Sequence, residues 1–110
     1  SGTHDERAPV PRQELLRQWV DDFQQMQAKV ADDPAALAHV RREYLTVLWC
    51  CLLFLPPDDP ARDRAQQQFL PLAREVGGLF IADPRGGGKF WFTDDDIAYM
   101  KEAWPEFCPK

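Results

Sequence analysis

The triplet Gly86-Gly87-Gly88 followed by Lys89 is the first place where residue types suggest chemistry, because glycine backbones and a lysine can cradle a phosphate. A phosphate loop needs GxxxxGK, then Ser or Thr, then a helix whose N-terminus faces the anion. Here the first glycine of that pattern would fall on Asp83, Lys89 is followed by Phe90, and Phe90-Trp91-Phe92 reads as strand. No GxGxxG occurs either. The glycines are therefore read as the turn of a hairpin, with Leu79–Ala82 pairing with Phe90–Thr93 and Asp83–Gly88 at the tip.

The remaining reactive residue types do not assemble into a site. His39 is the single histidine outside the N-terminal segment and falls on the polar side of a helix beside Arg41 and Arg42. Cys51 lies twelve residues further on the same helix, about 18 Å away by helical rise, too far for a catalytic dyad. The three cysteines, Cys50, Cys51 and Cys108, lack zinc spacing, and adjacent helical residues point about 100° apart, so Cys50 and Cys51 cannot readily bridge. Asp94-Asp95-Asp96 lacks the spacing and glycine of an EF-hand. The expectation is a chain that is not an enzyme and uses no cofactor or metal.

Stepping outward, periodicity places four helices. Leu15, Leu16, Trp19, Val20, Phe23, Met26 and Val30 form an amphipathic stripe read as core. Asp33-Pro34 starts a second helix, apolar on one face through Leu37, Val40, Tyr44, Val47, Leu48, Cys51, Leu52 and Leu55, and from Tyr44 onward on the other through Trp49, Cys50, Leu53 and Phe54. Asp59-Pro60 starts a third by the same capping chemistry, with Pro71 expected to kink or restart it and Gly77-Gly78 to end it. Thr93 with Asp96 forms a capping-box pattern that opens the fourth, which carries Ile97, Met100 and Trp104. The expected fold class is mainly α with a minor β part. It comprises an extended N-terminal segment over 1–11 and one helical domain over 12–110, with a β-hairpin over 79–93 between helices three and four.

Composition bounds the function. The chain has 110 residues, 45% of them hydrophobic, enough for one core, and a net charge of −5 that opposes binding to nucleic acid or anionic membrane. The apolar run Tyr44–Leu55 is shorter than the roughly 20 residues of a spanning helix, and the first residues are polar and charged, unlike a signal peptide. The expected location is the cytoplasm. Abundant Arg, Ala and Pro with few lysines point to a GC-rich bacterial source.

The leading expectation is a small acidic protein-interaction module, an inhibitor, immunity, anti-defence or adaptor protein of a bacterium or phage that works by binding a partner protein. The residues expected to bind are Arg85, Lys89 and Trp91 on the hairpin and Trp49 and Leu53 on helix two, where a homodimer could also form unless the hairpin aromatics and Trp104 fold over that face. The alternative is a winged-helix-like nucleic-acid regulator with the 79–93 hairpin as wing, whose acidic balance and Pro71 in the preceding helix count against it.

Overall fold

The computed structural model describes residues 12–76, 79–81, 88–90 and 93–110. Four helices carry the fold: α1 (Gln13–Lys29), α2 (Pro34–Phe54), α3 (Pro60–Val76) and α4 (Asp94–Ala103), followed by a 3-10 turn over Pro105–Phe107. Local chemistry sets their starts. The Asp33 side chain accepts from the Ala36 amide at 3.2 Å, with Pro34 at the first helical position, where its missing N–H costs nothing. Asp59 accepts from the Ala61 amide at 2.9 Å. Thr93 and Asp96 form both halves of a capping box, each bond 3.3 Å long.

The short Val30–Asp33 connection folds α2 back on α1, and α3 packs along α2. Leu16 and Val20 of α1, Tyr44, Leu45, Leu48, Cys51 and Leu52 of α2, and Ala65, Phe69 and Ala73 of α3 make the centre. Met100, Trp104, Phe107 and Cys108 close it from the C-terminal side. Two buried polar residues hold that closure. Arg62 lies over the Phe107 ring, 5.6 Å from its centroid, and donates to Gln66 Oε1 at 2.7 Å, while Gln66 Nε2 donates to the Cys108 carbonyl at 2.8 Å. The helix α3 runs through Pro71 without a break, but Pro71 has no N–H, so the Gln67 carbonyl loses its helical donor.

The minor-β part of the expected fold class is corrected. Every residue of the described core comes from the helices, from Leu55 or from the Trp104–Cys108 segment, so the architecture is helical. The hairpin expected over 79–93, with Leu79–Ala82 against Phe90–Thr93, is not seen with those bounds or that register. Among the described residues, strand pairing joins Leu79–Ile81 (β1) to Gly88–Phe90 (β2), antiparallel, with Leu79 opposite Phe90 and Ile81 opposite Gly88. Thr93 is unavailable to a strand because its hydroxyl and backbone N–H are both committed to the α4 cap. Among the described residues no helix is long and apolar enough to cross a membrane.

Candidate docking groove

The side chains that suggested chemistry occupy structural positions. His39 is exposed on α2. Cys51 is fully buried, and burial, with smaller contributions from Cys50 and Asp59, pushes its thiol up to about 12, so it stays protonated and poorly nucleophilic. Burial also raises the Cys50 and Cys108 thiols. Asp94 pairs with Arg74 at 3.0 Å, and Asp96 completes the helix cap. Among the described residues no three His, Cys, Asp or Glu side chains converge as a metal site.

Of the residues expected to bind a partner, Trp49 is corrected outright. It is 7% exposed, with Phe69, Trp104 and Phe107 packed on it at centroid distances of 5.4, 6.2 and 5.5 Å. A side chain enclosed by three aromatic rings cannot serve as a docking anchor or as the centre of a dimer patch on helix two. Leu53 is half-buried against the core. Arg85 and Trp91 lie outside the described residues, and of Lys89 only the backbone, paired with Phe80, is described.

The structure exposes a different apolar face. Trp19 and Phe23 of α1 and Glu43, Thr46, Val47 and Cys50 of α2 line an open groove of about 390 Å³. The α1 stripe, read from sequence as core, divides lengthwise. Leu16 and Val20 are fully buried, whereas Trp19 is 36% and Met26 40% exposed. The stripe is too wide for one neighbouring helix to cover, since Leu15 and Val20 differ by about 140° around the axis. Met26 lies about one turn beyond Phe23, and Phe54, also 36% exposed, one turn beyond Cys50, so by helical spacing both stand just outside the groove on the same two helices. The width of the stripe was the signal in the sequence for this face, and it was read instead as a larger core.

The opposite side of the α1–α2 pair is a polar seam closed by α3. Arg17 Nε meets Asp59 Oδ2 at 2.7 Å, Arg64 Nη1 meets Asp21 Oδ1 at 3.0 Å and Gln24 Oε1 at 3.2 Å, and Arg41 pairs with Glu75. Tyr44 donates its hydroxyl to Gln68 Oε1 at 2.5 Å. Burial raises the Tyr44 phenol, keeping it a neutral donor. Burial also works to raise the Asp59 carboxyl, but bonds from the Ala61 amide and the Arg17 guanidinium outweigh it and hold the group below its usual range. A cavity of about 470 Å³ lies in this seam among Gln24, Gln27, Tyr44, Gln67 and Gln68. Of its lining groups Tyr44 bonds Gln68 across α2 and α3, Gln24 accepts from Arg64 across α1 and α3, and Gln27 donates to the Phe23 carbonyl of its own helix.

No protein-family model, curated protein or solved structure matches the chain.

Proposed function

We propose that this chain is a small protein-interaction module, of the inhibitor, immunity, anti-defence or adaptor kind, acting in the cytoplasm of a bacterium by docking a segment of a partner protein on the α1–α2 face. One observation carries the reading. Trp19, a large apolar side chain left 36% exposed, lines a groove with Phe23, Val47 and Cys50, and the exposed Met26 and Phe54 stand about one turn beyond it on the same two helices. Clustered exposed aromatic and methionine side chains next to a concavity are the usual make-up of an interface centre. The charge distribution supports protein over nucleic acid as the partner. Arg62 is buried, Arg64 is paired with Asp21, and Arg74 with Asp94, so the arginines of the helix before the strand pair are committed within the molecule.

The test is affinity capture from the source cells with wild type and Trp19→Ala in parallel, followed by calorimetry on each purified candidate. A true partner should bind the variant about thirtyfold more weakly, the effect of losing about 2 kcal/mol at an interface anchor. Circular dichroism should show the variant still helical. Identical captured sets and unchanged affinities would remove the groove from consideration.

A further inference from the structure

We infer that the occupant of the α1–α2 groove is a basic amphipathic helix of about three turns, an inference that rests on the docking reading above. Length follows from the stripe, because Leu15 to Met26 spans about 16 Å at helical rise. Shape follows from the walls. Two helices folded back on one another and covered on one side by α3 leave the opposite seam open, and a further helix fits such a seam by laying its ridge between theirs.

The sign of charge comes from two carboxylates. Glu43 lines the groove on the α2 side, and Asp22 stands on the α1 side, three residues from Trp19 and four from Met26. Four other carboxylates are paired: Asp59 with Arg17, Asp21 with Arg64, Glu75 with Arg41 and Asp94 with Arg74. Neither Asp22 nor Glu43 has an ion pair among the described residues, and no Lys or Arg lines the groove. The nearest α2 bases flank the stripe, with Arg42 turned about 100° from Glu43 around the helix.

A second copy of the chain is the poorer occupant. Self-complementary packing through this face would bring Asp22 and Glu43 of both copies together with no lining cation between them. A partner helix with Leu or Phe at i, i+3, i+4 and i+7, flanked by Lys or Arg, would satisfy both lips at once.

Two helix-stabilised probe peptides with one common apolar face, one flanked by Lys and Arg and the other by Gln, decide the matter by fluorescence anisotropy on the whole chain. The basic peptide should bind wild type at least tenfold more tightly than the Gln peptide. That advantage should shrink below threefold in the double variant Asp22→Asn, Glu43→Gln, and in high salt, while Trp19→Ala weakens both peptides. Equal binding of the two peptides, still lost in Trp19→Ala, would overturn the basic occupant and leave the groove standing. Absence of binding by either, or binding indifferent to Trp19→Ala, would overturn both readings. Sedimentation showing a wild-type dimer that Trp19→Ala dissolves would make a second copy the occupant and refute the inference.

Discussion

Replacing Trp49 by alanine tests whether the aromatic cluster closes the core. Trp49 is 7% exposed, so folding removes up to about 230 Å² of it from water, given that tryptophans bury as much as about 250 Å². Truncation gives up about 170 Å² of that contact, or about 4 kcal/mol at 25 cal/mol per Å². Three ring contacts at 5.4 to 6.2 Å are lost with it, and the hole they leave cannot fully collapse. The expected cost is therefore about 3–5 kcal/mol, a large part of the 5–15 kcal/mol that holds a typical domain together. Urea unfolding followed by circular dichroism measures it. Should Trp49→Ala be unfolded from the outset, Trp49→Phe keeps part of the ring contact and should remain folded with a smaller loss. Trp19→Ala must cost less than Trp49→Ala, because Trp19 is 36% exposed. A loss below about 1 kcal/mol for Trp49→Ala, or the reverse ranking, would refute the enclosed position of this residue.

Two further perturbations probe the seam and α3. The Asp59 carboxyl sits below its ordinary value of 3.8 in the folded chain, so its stabilisation is complete above that value and fades as pH falls through the folded value. Asp59→Asn should accordingly cost about 1–2 kcal/mol at neutral pH, with the gap to wild type closing as pH falls through the carboxyl's lowered folded value; a pH-independent gap would contradict the ion pair with Arg17. Pro71→Ala restores an N–H for the Gln67 carbonyl at an exposed position in mid-helix and should raise stability by about 1–3 kcal/mol in the same urea assay. A lower stability would mean that the proline's geometry is itself required.

What the sequence revealed divides by the range of the physics involved. The starts at Asp33-Pro34 and Thr93–Asp96 were legible because a cap is a contact between residues two or three positions apart. The position of Trp49 was not, because α2 is apolar on both faces and its cover comes from Trp104 and Phe107, more than fifty residues later. Trp19 and Met26 were misread for a related reason. Periodicity says which side of α1 is apolar, whereas the number of helices available to cover that side is a property of the whole fold. The strand pairing failed at Thr93, where strand composition competed with a helix cap and the cap prevailed. The candidate groove is thus the part least readable in advance: Trp19 looked like core, and only the packing of the whole fold left it exposed.

The polar seam has a consequence for how one arrangement is chosen among many. The half of α2 from Tyr44 onward, apolar on both faces, is a rod with few markings: rotate or slide it, and apolar surface still meets apolar surface. The markings are supplied by Tyr44 with Gln68, Arg41 with Glu75, Arg64 with Asp21 and Arg17 with Asp59. Each works only within a fraction of an ångström, whereas a one-turn slip of α3 displaces them all by about 5.4 Å. They act together as a vernier, admitting a single alignment of three rods that would otherwise have several of nearly equal energy. Stripped of them, the chain would still coil and condense, but it would drift among those alignments, having lost uniqueness before compactness.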